Sequence, residues 1–222
     1  IAFQLQPGWK TYWRSPGDSG VPPRFDFSKS DNVEAVTVLW PAPTKFDDGA
    51  GGHSLGYHDQ IVLPLRIVTK NADKPVTLRA SISYAVCEKI CIPVEAKADL
   101  AFASVASTED SALFAALDTV PKPVNVGDDA PLSIREVKRD GPSNVIVDVA
   151  GPDTRGINLY VEGPTPDWAL PIPTPAEHSP PGVKRFTFAL EGLPPGAKAD
   201  GAALKFTLVG ADKAYEFNYN LQ

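Results

Sequence analysis

Two runs of period-two alternation meet at a turn that holds both cysteines, and this feature constrains the fold more than any other. Apolar or aromatic residues fall on even numbers before the turn, at Val76, Leu78, Ala80, Ile82, Tyr84 and Val86. They fall on even numbers again after it, at Ile92, Val94, Ala96, Ala98, Leu100 and Phe102. Alternation of this kind predicts two half-buried strands, joined as a hairpin through the stretch 84–94, YAVCEKICIPV. With Glu88-Lys89-Ile90 as a three-residue loop, Cys87 lies directly opposite Cys91. The same register sets Ser83 opposite Glu95 and Arg79 opposite Asp99, an opposite-charge pair that favours it. Both cysteines share the odd-numbered face with Thr77, Arg79, Ser81, Glu95, Lys97 and Asp99. That face is polar, so the pair is expected outside the core.

Opposed residues hold their Cβ atoms about 4.5–5.5 Å apart, and a disulfide takes roughly 3.5–4.5 Å. A small local adjustment therefore closes the bond. Such a bond adds little as a staple: chain-entropy arithmetic gives about 2 kcal/mol for a five-residue loop against about 4.7 for a hundred-residue one. An immunoglobulin-type staple instead joins strands distant in sequence, with both cysteines facing inward. A reachable bond of low structural value points to exchange with the thiols of another protein. A minor structural clip and a metal site are the alternatives. Lys89 favours a thiolate, Glu88 opposes one, and no helix N-terminus is indicated nearby. The balance suits a shuttle more than a free-standing oxidant.

The 222 residues allow one large all-β domain or two of about 100 residues each. Prolines (23) and glycines (17) are scattered between alternating runs, which indicates many short strands and turns rather than disorder. The net charge is −6 with no basic cluster, so nucleic acid and anionic membrane surfaces are not expected partners. No apolar run approaches the ~20 residues of a membrane span. The chain starts at Ile1 in strand-like sequence and contains no methionine, as expected of a soluble piece of something longer. A cycling cysteine pair suits an oxidising compartment such as the periplasm.

Taken in order, residues 1–14 read as a strand broken by Pro7-Gly8, and 15–23 as a turn cluster. Strands are expected at 24–28, at 33–40 (Val36, Val38 and Trp40 on one face) and at 60–69 (Ile61, Leu63, Leu65 and Ile67 on one face). Pro64 interrupts the last of these, favouring an edge or bulge. Between the last two strands, residues 41–59 show no evident element over nineteen residues. This stretch reads as a glycine-rich mobile lid with Phe46, Leu55 and Tyr57 to bury, or as a solvated turn region whose aromatics pack locally. A short helix is expected over 107–120, capped by Ser107 or Thr108, with Leu113, Phe114 and Leu117 on one face and Pro121 as its stop. Residues 121–131 have linker composition. Alternating segments then follow near 132–137, 144–149, 157–163, 168–172, 184–190, 203–209 and 214–221. Seven short strands of this kind predict a second immunoglobulin-like sandwich, for which the sequence supplies no catalytic cluster.

His53 and His58 share the 41–59 stretch with Asp47, Asp48 and Asp59, and with two thiols they raise copper or zinc as a possibility. The CxxxC spacing lacks the two-residue gap of zinc knuckles, and the histidines are not at i, i+4 on a regular element. No metal and no cofactor is expected. Hydrolase and phosphate-loop motifs are absent; the GAGG run has no following Lys-Ser/Thr.

Three stretches, GWKTYWRSPGDSGVPP at 8–23, DQIVLPLRI at 59–67 and YAVCEKICIPVEA at 84–96, run in the order seen in a known family. Over roughly residues 1–105 the chain resembles the N-terminal periplasmic module of the membrane disulfide reductases DsbD and ScsB, closest to the ScsB type. The resemblance implies an immunoglobulin-like domain in periplasm, forming the soluble N-terminal part of an inner-membrane protein. Its cysteine pair takes electrons from transmembrane or thioredoxin-like domains of the same parent protein and passes them to periplasmic thioredoxin-fold proteins. It implies that Cys91 forms the mixed disulfide and Cys87 resolves it. It also implies a cap loop, for which 46–58 occupies the matching place, with Phe46, His53, Leu55, Tyr57 and His58 as shielding residues. Tyr12, Tyr84, Glu88 and Lys89 are expected to shape the site. DsbD-type modules have a longer cysteine spacing and acidic residues around the cap phenylalanine, whereas this chain has CxxxC and a glycine-rich, histidine-bearing loop. The expectation is an all-β chain of two tandem immunoglobulin-like domains, 1–120 and 132–222, with one short helix before a 121–131 linker. The runner-up readings are a periplasmic binding module with an inert disulfide and a copper- or zinc-binding module.

Overall fold

Strands make up almost all of the regular structure in the computed structural model, which describes residues 1–49, 51–102, 111–151 and 155–222. The chain divides into two units, Ile1–Val120 and Pro121–Gln222. The first holds β1 (Ala2–Gln4), β2 (Lys10–Gly17), β3 (Arg24–Asp26), β4 (Val33–Val38), β5 (Thr44–Asp47), β6 (His53–His58), β7 (Gln60–Val62), β8 (Leu65–Thr69), β9 (Val76–Cys87), β10 (Cys91–Phe102) and helix α1 (Ser111–Asp118). The second holds β11 (Lys122–Pro123), β12 (Ser133–Asp140), β13 (Asn144–Ala150), β14 (Asn158–Glu162), β15 (Thr174–Pro175), β16 (Lys184–Ala189), β17 (Ala203–Val209) and β18 (Ala214–Asn220).

The main sheet of the first unit runs β10-β9-β2-β6-β5, with β3 laddered onto β9 beside β2. The pairs β4–β8 and β1–β7 form separate ladders. Pro64 stands where the chain leaves the β1 ladder after Val62 and enters the β4 ladder at Leu65, so the missing N–H falls at a change of sheet. Trp13, Leu55, Tyr57, Leu63, Val76, Leu78, Ala80 and Ile82 are buried.

The hairpin register is the expected one. Cys91 pairs with Cys87, Glu95 with Ser83 and Asp99 with Arg79. Its inside and outside differ from expectation in two places. In β9 the even residues are buried up to Ile82, but beyond Tyr84 the odd residues Ala85 and Cys87 are buried instead. The polar-face reading fails there because Tyr12 from β2 covers the odd face, clustering with Ala85 and Cys87. In β10 the even residues Ile92 (41 %) and Leu100 (60 %) remain exposed. β10 ends the sheet, and an edge strand has a neighbour on one side alone.

Residues 41–59 are not an elementless loop. They contain β5 and β6, a hairpin whose second strand sits inside the sheet between β2 and β5. The glycines that suggested mobility have separate structural tasks. Gly49 and Gly51 take positive φ in the turn. At Gly56 a Cβ would stand 2.0 Å from the Thr11 carbonyl oxygen, so only glycine lets β6 approach β2. Within the expected 107–120, helix α1 covers Ser111–Asp118 of the described residues and stops two residues before 120; Ser107 and Thr108 lie outside the described residues. Leu113, Phe114 and Leu117 are exposed on it while Ala116 is buried.

The second unit is a sandwich of two four-stranded sheets, β11-β18-β17-β14 and β12-β13-β16-β15. Val145, Val147, Val149, Phe186, Phe188, Phe206, Leu208 and Phe217 fill its core, as their alternation requires. Two segments depart from expectation. Residues 168–172 form no strand: Trp168 and Leu170 pack against the core, and Pro171 and Pro173 leave few donors for a ladder. Lys122–Pro123, within the stretch of linker composition, pair in parallel with Tyr215–Glu216 of β18. Val124 and Val126 pack on the same core. Both units are all-β and immunoglobulin-like, and among the described residues the one short helix lies near the end of the first unit.

Candidate functional site: the hairpin disulfide

Cys87 and Cys91 are joined as a disulfide, with their Cα atoms 4.1 Å apart. The two sulfurs differ in access. Cys87 is 2 % exposed, while Cys91, first residue of the edge strand, is exposed. Burial of Cys87 follows from strand order: β9 is flanked by β10 on one side and β2 on the other, and Lys10 pairs with Cys87. Paired residues share a face, and so do residues two apart on one strand. Lys10 and Tyr12 therefore stand on the disulfide side of β2, while Thr11 and Trp13 point the other way.

Tyr12 reaches over both sulfurs. Its hydroxyl lies 3.1 Å from Cys87 Sγ and 3.4 Å from Cys91 Sγ. Burial pushes its pKa above the ordinary tyrosine value, so the phenol stays protonated and able to donate. Gly20 packs against the Tyr12 ring, where a Cβ would come within 2.8 Å of Cδ1. The turn cluster after β2 thus covers the tyrosine. The Thr11 hydroxyl donates to the Ala85 carbonyl at 2.9 Å, tying β2 to β9 one residue away from the Lys10–Cys87 pair.

Lys10 does not point at the sulfurs. Its ammonium donates to Ser54 Oγ at 3.0 Å and stands 5.3 Å from the centroid of the Phe46 ring. Phe46 meets the His58 ring edge-on at 6.0 Å. Phe46 pairs with Ser54 across β5 and β6, and His58 pairs with Lys10 across β6 and β2. All four residues share the sheet face that carries Cys87.

The other residues singled out from the sequence are spread more widely. Leu55 (2 %) and Tyr57 (6 %) are core residues, and the Tyr57 hydroxyl donates to the Pro41 carbonyl at 2.8 Å. By alternation they face away from the disulfide. Tyr84 also lies on that opposite face, its ring edge-on to Phe3 at 5.0 Å. Glu88 sits in the hairpin loop beside Gly8, and its carboxylate accepts the Lys89 N–H at 3.3 Å. Lys89 is exposed. His53 Nε2 lies 3.0 Å from Asp47 Oδ1, and His58 Nδ1 is bonded to Asp59. Among the described residues no cluster of three or more His, Cys, Asp or Glu is arranged to hold a metal ion. Lys10 and Ser54 were not legible as site residues. Their sequence signal is the alternation Lys10-Thr11-Tyr12-Trp13, which acquires meaning once β2 is known to lie beside the hairpin.

These features define an immunoglobulin-like protein carrying a local, half-exposed disulfide on an edge hairpin. Its N-terminal unit matches the family described as thiol:disulfide interchange protein DsbD, N-terminal, over residues 1–103. The fold of the whole chain is similar to the crystal structure of the N-terminal periplasmic domain of ScsB from Proteus mirabilis. That likeness has a TM-score of 0.75 at 24 % identity and covers 99 % of this chain and 85 % of that one. No curated protein matches the sequence. No helix among the described residues is long and apolar enough to cross a membrane.

Proposed function

We propose that the N-terminal unit is a periplasmic thiol:disulfide interchange module, the soluble N-terminal part of an inner-membrane reductase. It relays electrons from the parent protein's transmembrane or thioredoxin-like domains to thioredoxin-fold partners. The observation that carries this reading is the asymmetry of the pair: Cys91 exposed at a sheet edge, Cys87 buried behind it under the Tyr12 hydroxyl. An incoming thiolate can reach one sulfur only.

Loading begins when a thiolate of the electron donor attacks Cys91 Sγ. The donor–Cys91 bond forms, the Cys87–Cys91 bond breaks, and the electron pair leaves on Cys87 Sγ, where the Tyr12 hydroxyl donates to it. A second donor thiolate then resolves the mixed disulfide and leaves the pair reduced. For delivery, the Cys91 thiolate attacks a partner disulfide, and Cys87 resolves the resulting mixed disulfide by attacking Cys91 Sγ. The partner departs reduced and the Cys87–Cys91 bond is restored. Glu88 and Lys89 flank the entry to Cys91, and Phe46 stands on the same sheet face beyond Lys10.

The test is covalent trapping. Cys87→Ser should accumulate a mixed disulfide through Cys91 with a thioredoxin-fold protein. Recovery of no adduct, or full partner reduction with both cysteines replaced, rejects the relay. An inert structural bond would instead resist mild reduction while the fold stays intact.

A further inference from the structure

We propose that Lys10 is a positioning residue for this exchange, a cation held in reserve that stabilises the Cys87 thiolate whenever the Cys87–Cys91 bond is open. The inference rests on the interchange reading and names a group that the reading does not use. Lys10 is the direct cross-strand partner of Cys87, so their Cβ atoms lie about 4.5–5.5 Å apart on one face. Tyr12, two residues along β2, reaches both sulfurs, which fixes the direction of that face. Yet the Lys10 ammonium lies on Ser54 Oγ and over the Phe46 ring.

That arrangement suits a closed disulfide. The sulfurs are then neutral, and a hydroxyl with an aromatic face makes the better company for a cation. Opening the bond changes the balance. A full negative charge appears on Cys87 Sγ in a site that is 2 % exposed, and a charged acceptor outcompetes a neutral hydroxyl for an ammonium. Rotation of the lysine's flexible four-carbon stem brings Nζ across without moving the backbone. Other ionisable groups around Cys87 do not duplicate this. Glu88 and Lys89 approach from the hairpin loop, where Glu88 opposes a thiolate and Lys89 is exposed. His58 on β6 is bonded to Asp59, and Tyr12 supplies a neutral donor. Lys10 is thus the cation that the sheet itself sets against Cys87. It acts wherever Cys87 carries charge: as leaving group when Cys91 is attacked, and as nucleophile when the mixed disulfide is resolved.

The experiment titrates Cys87 in full-length Cys91→Ser protein, following thiolate absorbance against pH. Adding Lys10→Met should raise the Cys87 pKa by about one unit, and Lys10→Arg should restore most of it. Adding Phe46→Leu should lower it, because the ammonium loses its alternative seat. An unchanged titration in Lys10→Met overturns the proposal. So does a shift of the same sign in Lys10→Met and Phe46→Leu, which would mark a packing effect. No partner protein enters this measurement, so its failure leaves the relay standing, and a failed trapping experiment leaves this result intact.

Discussion

A hydroxyl 3.1 Å from one sulfur and 3.4 Å from the other changes what happens when the bond between them breaks. Tyr12→Phe keeps the buried ring and deletes the donor. A hydrogen bond to a charged group is worth about 1.5–3 kcal/mol, so reduction of the disulfide by a small thiol should slow by roughly 10- to 100-fold. Stopped-flow reduction of the two proteins checks this; equal rates would show the hydroxyl idle. The pH dependence has a definite sign. Burial raises the Tyr12 pKa in the folded chain, so its contribution to stability is complete below the unfolded value of about 10 and is lost as pH rises through the raised one. The rate advantage should fade over the same alkaline range. Facing of Cys87 and Cys91 was legible because hairpin pairing is local and alternation fixes it. Burial of Cys87 was not, since the residue that covers it lies 75 positions earlier.

At the scale of elements, β6 shows how composition misleads. HSLGYH lies in a glycine-rich stretch and reads as loop, yet it is an inner strand flanked by β2 and β5. Gly56 is there for closeness, not for mobility. Gly56→Ala would drive a methyl into the Thr11 carbonyl, part β6 from β2 and disturb the seat of Tyr12. Overpacking of this kind costs about 1–3 kcal/mol, and denaturant unfolding followed in the first unit measures it. The same variant should weaken the tyrosine–sulfur contact and slow disulfide reduction, because Tyr12 pairs with Gly56. Unchanged stability would mean the strands part without loss. The reading of β10 erred in the opposite direction. Its even residues alternate as a buried strand's do, and that alternation alone does not tell which strand will end a sheet. Pro93, Glu95, Lys97 and Asp99 are the sequence's own marks of such an edge, discouraging pairing with a further strand.

Across the whole molecule, the two units are held by different means and should answer acid differently. In the second, Asp148 on β13 is 8 % exposed and pairs with Arg185 on β16. Its carboxylate accepts from Arg185 Nε and Nη2, both at 2.6 Å. The guanidinium's hydrogen bonds hold the Asp148 pKa below the usual carboxylate value, and desolvation opposes them without winning. A lowered folded pKa means that the unfolded chain binds the proton more tightly. The stabilisation is therefore present above the unfolded carboxylate's value, near pH 3.9, and is lost as pH falls from there through the lowered one. Asp148→Asn removes the titrating group, so this variant should start from lower stability at neutral pH and show a flatter acid limb in the second unit. Residues 1–120 carry the cysteine pair, and their acid response should be the same in both proteins. Hydrogen exchange read segment by segment over a pH series separates the two units in one experiment. A second unit that loses protection in parallel in wild type and variant as pH falls would remove Asp148–Arg185 as the source of its acid sensitivity.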